Sequence, residues 1–204
     1  MLRRLLPLLR LARYGIGPAD ALVNLAESWV GTEEKGQNKG AEVAHWIKLG
    51  GGKPSKSPPW CAYWVAAICE TIERAGFLVR YVKTGRAVAH WQLAEADQLV
   101  ARDDIFNQRD VRGLVFVRTR MSKPVRDRDR ALLGERVQGH TGFCLRIEGN
   151  GEEGEGAGLT VVCVAGNSTG RGHASRTGGV AIERLTPGTP AWDRVVGFVR
   201  VALP

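Results

Sequence analysis

Three residues of this chain have the types and the order needed for nucleophilic chemistry: Cys61, then His140, then Asn167. Cys61 stands in Pro58-Pro59-Trp60-Cys61-Ala62-Tyr63-Trp64, behind a proline pair and ahead of an apolar stripe. Proline suits the first turn of a helix, where its missing N–H costs nothing. The partial positive charge at a helix start favours a thiolate over a thiol. A thiolate nucleophile needs a base, and His140 is expected to serve. Asn167 is expected to accept the other imidazole N–H and so fix the tautomer and the ring. Such a set attacks an amide carbonyl, forms an acyl-enzyme, protonates the leaving amine from histidine and deacylates with water.

Around these lie weaker readings. The backbone N–H of Cys61 and the indole N–H of Trp60 are expected donors to an oxyanion. Glu34 and Asn38 either touch substrate or organise their own turn. His173, in Gly170-Arg171-Gly172-His173, is the reserve base, while His45 and His90 read as surface or packing residues. Each main residue also has a structural alternative. Cys61 could pack in its helix as Cys69 does, His140 could be a strand-end histidine, and Asn167 could shape its turn. Four cysteines form no C-x-x-C pair, which argues against structural zinc. The acidic connector holding Glu148, Glu152, Glu153 and Glu155 lacks the ligand spacing of a calcium loop. No metal and no other cofactor is expected.

The elements that must position these residues change character midway. Pro18 opens a helix with the stripe Leu22, Leu25, Ala26, Trp29, closed by Gly31. A polar turn follows, then a second helix with Val43, Trp46 and Ile47. The Cys61 helix carries Trp64, Val65, Ile68, Cys69 and Ile72 inward and ends at Gly76. A further helix is expected from His90 to Arg102. Strands are expected at 113–118, 139–147, 159–165, 179–185 and 194–202, with a charged loop at 119–138. Helices first and antiparallel strands second predict an α+β fold. Cys144 and Cys163 lie in strands and read as small buried hydrophobes, with cross-strand pairing open. Cysteine usage fits a reduced compartment during synthesis.

Net charge of +8 favours anionic partners: nucleic acid, membrane or cell envelope. No zinc-finger, aromatic RNA-binding or heptad pattern is present, so no specific nucleic-acid partner is expected. No stretch is long enough to span a membrane. Residues 1–16 form a basic, leucine-rich extension that reads as a docking helix, a membrane-surface helix or a packing helix. Pro7 and Arg10 interrupt what would be a secretory apolar core, so no signal peptide is read. Residues 17–204 are read as one domain.

The ordered motifs resemble the CHAP family, the cysteine- and histidine-dependent amidohydrolases and peptidases of papain-like fold. The pieces are Gly31-Thr32-Glu33-Glu34-Lys35-Gly36-Gln37-Asn38-Lys39-Gly40, Pro59-Trp60-Cys61-Ala62, Gly139-His140-Thr141-Gly142, Ala165-Gly166-Asn167-Ser168 and Val195-Val196-Gly197-Phe198. The resemblance is to the branch found in phage lysins and tail-associated wall hydrolases. It implies N-terminal helices on a C-terminal antiparallel sheet of four to six strands. It also implies cleavage of an amide bond in bacterial peptidoglycan, with Cys61, His140 and Asn167 as the site. The implied location is a virion tail or the cytoplasm of an infected bacterium before lysis, with tail or other assembly proteins as partners of residues 1–16. The sequence departs from the family at two places: Ala165 where a glutamate is common, and Trp60 where glutamine usually precedes the cysteine. Two other classes remain: a catalytically silent module of a tail or secretion assembly, and a cysteine hydrolase or deamidase toxin acting on protein.

Overall fold

The computed structural model describes residues 15–120, 137–149, 158–168 and 178–202. His173, the acids Glu152, Glu153 and Glu155, most of the charged loop and residues 1–14 lie outside this set. The fold is α+β. Helices α1 (Pro18–Glu27), α2 (Ala41–Leu49), α3 (Cys61–Arg74) and α4 (Ala87–Gln92) precede all six strands of an antiparallel sheet. Its strands are β1 (Leu99–Ala101), β2 (Leu114–Thr119), β3 (Gly139–Glu148), β4 (Thr160–Ser168), β5 (Gly179–Leu185) and β6 (Val195–Arg200), in the spatial order β1-β6-β2-β3-β4-β5.

Alternation along the strands divides the core in two. Val115, Val117, Phe143, Leu145, Val162 and Val164 meet the helices and pack with Leu22, Trp46, Trp64 and Ile68. Phe116, Cys144, Cys163, Ala165 and Phe198 form a second apolar layer with Ile105 and Trp192. Cys144 and Cys163 are register partners, both fully buried, with sulfurs 3.8 Å apart and free.

The expected helix at 90–102 is corrected. The helix starts at Ala87 and stops at Gln92, and residues 99–101 are an edge strand on β6. The reason is local. Glu95 and Gln98 exchange side-chain and backbone bonds in a capping box. The Gln98 amide then ties to the carbonyls of Arg80 at 2.9 Å and Arg200 at 2.8 Å. Those bonds end the helix and hand the chain to the sheet.

A backbone pairing ties the first half to the second. The segment Gly31–Glu34 pairs with the outer edge of β5: Gly31 N–H donates to Val180, Val180 N–H to Thr32, and Glu34 N–H to Gly178. A run of indoles also crosses the helices. Trp29 meets Trp46 edge-on at 5.1 Å, and Trp46 stacks on Trp60 at 5.0 Å. That run ends at the residue immediately before Cys61.

Candidate functional site

Cys61 is the first residue of α3, and Trp60 precedes it as the helix cap without a capping side-chain bond. The first turn carries no acid, so nothing opposes the helix field at the thiol. Glycines bring the sheet up to this helix end. A Cβ on Gly166 would lie 2.6 Å from the Trp60 ring and 2.9 Å from Trp64. A Cβ on Gly142 would lie 2.2 Å from the carbonyl oxygen of Val164. On Gly139 it would lie 2.8 Å from Val88 and 3.1 Å from Ala87, and Ala87 packs on Cys61 and Ala62. The glycines of Gly139-His140-Thr141-Gly142 and Ala165-Gly166-Asn167-Ser168 are therefore clearance for α3, α4 and the strands. They bring the start of β3 to the start of α3.

His140 follows Gly139 on β3 and is 3% exposed. Its Nε2 lies 2.8 Å from Glu183 Oε1. Its Nδ1 is buried and lacks a partner at regular hydrogen-bond geometry, yet the ring interacts with the Cys61 thiol. The imidazole thus lies between the thiol and a carboxylate. Glu183 is held in turn by Arg118 at 3.0 Å and by the Ser168 hydroxyl, which donates at 2.5 Å.

The electrostatics match the geometry. Burial pushes the Cys61 thiol up, but the His140 hydrogen bond and charge, the Arg120 charge and the Ala62 backbone N–H outweigh it. The net shift is downward. Burial lowers His140, while the Glu183 charge and bonds to Cys61 and Glu183 raise it further, to about 9. Burial raises Glu183, and the His140 charge and bond, with Arg118 and Ser168, bring it down to about 2. Near neutral pH His140 therefore holds its proton beside an ionised Glu183, and the Cys61 thiol is shifted toward the thiolate. Cys69, two turns along the same helix, shows the contrast: burial, with Glu73 adding, pushes its thiol far up.

The structure brings Cys61 and His140 together and changes the expected roles of Asn167 and Trp60. Asn167 sits at a bulge between Ala165 and Ser168, with a left-handed φ of 54°. Its Oδ1 points to Gly178, 2.8 Å from where a Cβ there would stand. Among the described residues it makes no hydrogen bond to His140, and Glu183 makes that bond instead. The Trp60 indole N–H is not free for an oxyanion, because the fully buried ring donates to Glu34 Oε2 at 3.0 Å. Glu34 Oε2 also takes the Asn38 N–H at 2.9 Å, and Oε1 takes the Gly178 N–H at 2.9 Å. The Asn38 amide donates to the Ser57 carbonyl at 3.1 Å. Both residues border the cleft while organising its wall.

Sequence reading missed Glu183. The available signal was a carboxylate in phase with buried Ala181 and Leu185 on one strand. Ala165 stands beside this carboxylate. It pairs with Gly142 on one side and Ala181 on the other, between the strand of His140 and the strand of Glu183. A glutamate at 165 would compete for the same gap. The carboxylate comes from the next strand.

In front of the site is an open cleft of about 1080 Å³, bordered by His140, Glu183, Asn167, Pro59, Arg118 and Arg120 among others. Among the described residues no group of three or more His, Cys, Asp and Glu could hold a metal ion. His90 is buried on α4, which selects packing from its two expected readings. Burial, against a backbone bond with Ala62, lowers it to about 4, so it is neutral. No helix among the described residues is long and apolar enough to cross a membrane. Comparison with protein-family models, curated proteins and solved structures found no match.

Proposed function

We propose that this chain is a cysteine hydrolase that cleaves an amide bond in bacterial peptidoglycan, with a CHAP-type, papain-like arrangement of its site. The observation that carries the reading is the buried line Cys61–His140–Glu183, with the thiol lowered and the imidazole raised. A structural histidine has no need of both a thiol and a carboxylate partner. The order of the motifs and the net positive charge support the wall as substrate.

In this reading Cys61 attacks the carbonyl as thiolate and His140 carries the proton to the leaving amine. Glu183 stabilises the imidazolium and fixes Nδ1 toward sulfur. The Cys61 backbone N–H, at an uncapped helix start, is the first oxyanion donor. Asn167, on the cleft wall, is available to substrate instead of to His140. Residues 1–16 would attach the enzyme to a phage tail or another assembly, and the enzyme would act from a virion or from the infected cell at lysis.

The test is a digest of purified peptidoglycan by wild type and Cys61→Ala, read by mass spectrometry of released fragments. Wild type should release fragments with one new amino and one new carboxyl end, and Cys61→Ala none. Equal release by both would end the enzymatic reading. New ends on an added protein alone would favour the protein-directed toxin.

A further inference from the structure

The cleft beside the reactive thiol carries more positive charge than the site chemistry uses. Arg118, Arg120, Arg184 and Arg194 all border it. Two are neutralised: Arg118 by Glu183 at 3.0 Å and Arg184 by Glu148 at 2.5 Å. Arg120 and Arg194 have no acidic partner among the described residues. They reach the cleft from different strand ends. Arg120 directly follows β2 and is exposed, with its N–H on the Gln138 carbonyl at 2.9 Å. Arg194 directly precedes β6, whose Val195 is the register partner of Arg118. The β2–β6 pairing thus brings both to one end of the sheet, next to the residue that holds Glu183.

Of the bordering acids, Glu183 is committed to His140 and Arg118, and Glu34 to three N–H groups. Neither is left to neutralise Arg120 or Arg194, which have no acidic partner among the described residues. Unpaired arginines facing a cleft fit planar anions, since the guanidinium fork matches a carboxylate with two parallel bonds. The other bordering residues, Gln37, Asn38 and Asn167 among them, offer the amide partners that a peptide backbone needs.

From this we infer that the cleft selects a peptide bearing a free carboxylate close to the scissile amide, and that Arg120 and Arg194 bind that carboxylate. The inference rests on the hydrolase reading and names its substrate class: an acidic stem peptide, not an amidated one. Arg120 borders the same cleft as His140, and its charge acts on the Cys61 thiol, which puts the carboxylate on the side of the cleft nearest the cut. Arg194 is the specificity residue that can be changed without touching the nucleophile.

Two arms test it. In the first, peptidoglycan is digested as isolated and after its carboxylates are converted to amides with carbodiimide and ammonia. Wild type should cut the untreated wall about tenfold faster, and Arg194→Ala should lose about that factor on untreated wall only, with Arg194→Lys intermediate. Equal cutting of both walls by wild type, or equal loss on both by Arg194→Ala, overturns the inference. In the second arm Cys61→Ala is titrated with N-acetylglycine, N-acetylglycinamide and inorganic phosphate. The arginine Nε–H signals missing from R120A and R194A spectra are followed by nitrogen-15 NMR. N-acetylglycine alone should move them. No shift with it, or a shift with phosphate only, overturns the site. If N-acetylglycine moves the signals while wild type cuts neither wall, the carboxylate site stands and the peptidoglycan reading falls. Circular dichroism melts of each variant separate misfolding from lost recognition.

Discussion

Each residue of the site is defined by what its neighbours do to its charge. Cys61 and Cys69 share a helix and are both buried, yet they are driven in opposite directions. Iodoacetamide near neutral pH should therefore modify Cys61 well before the other cysteines, followed by peptide mass mapping; equal rates would contradict the lowered thiol. The pH profile follows from the same shifts. The ion pair exists above the lowered thiol pKa and below that of His140, so kcat/KM should fall on the alkaline side near pH 9. The Glu183 charge is the largest cause raising His140. Glu183→Gln should therefore move the alkaline limb toward neutral and lower kcat by about 10²-fold or more. His140 is raised when folded, so its contribution to stability is complete below its ordinary pKa and lost as pH rises through about 9. Glu183 is depressed when folded, so its contribution is present above its ordinary pKa and lost as pH falls through about 2.

Among elements, the decisive contact is α3 against β3 and β4, and the glycines set its distance. Gly166→Ala would place a methyl into Trp60 and Trp64, at 2.6 and 2.9 Å. Chemical denaturation should show a loss of about 1–3 kcal/mol, with activity falling further because Cys61 shifts relative to His140. Much of this level was legible in the sequence. The start of α1 follows from Pro18 in its first turn, whereas Pro58 and Pro59 stand ahead of the Trp60 cap and only announce α3; β5 spans the expected 179–185. The Cys61 and His140 motifs are local signals, and the fold brings the two together. What could not be read was non-local. The Glu183 bond depends on which strand lies beside β4. The 99–101 strand depends on β6, almost a hundred residues later. The Trp60 indole and the turn of Glu34 looked like separate features because their bond spans 26 positions.

For the whole molecule, the sheet order places the last strand inside the sheet. β6 lies between β1 and β2, pairing with both. Closing it requires the full chain, so removing residues 195–204 should abolish the cooperative thermal transition instead of shaving a tail from it. A truncated protein melting cooperatively near the wild-type temperature would contradict that placement. The same topology explains why one cleft collects groups from Glu34 to Arg194: the start of α3 and the ends of β2, β3, β4 and β5 converge on one end of the sheet.

The Gly31–Glu34 segment has a further consequence. An exposed strand edge is a template on which another chain can add. This sheet ends in β1, only three residues long, and in β5, whose first residues are covered by that segment. The rest of β5 carries Glu183 and Arg184. Glu34 anchors the covering segment through three N–H bonds, so Glu34→Ala leaves three donors without their acceptor and weakens the closure by about 2–4 kcal/mol. The expected failure of that variant is self-association at temperatures where the sheet is still folded, visible as light scattering that precedes the loss of circular dichroism. Solubility in this protein is then guarded by the same carboxylate that fixes the wall of its cleft.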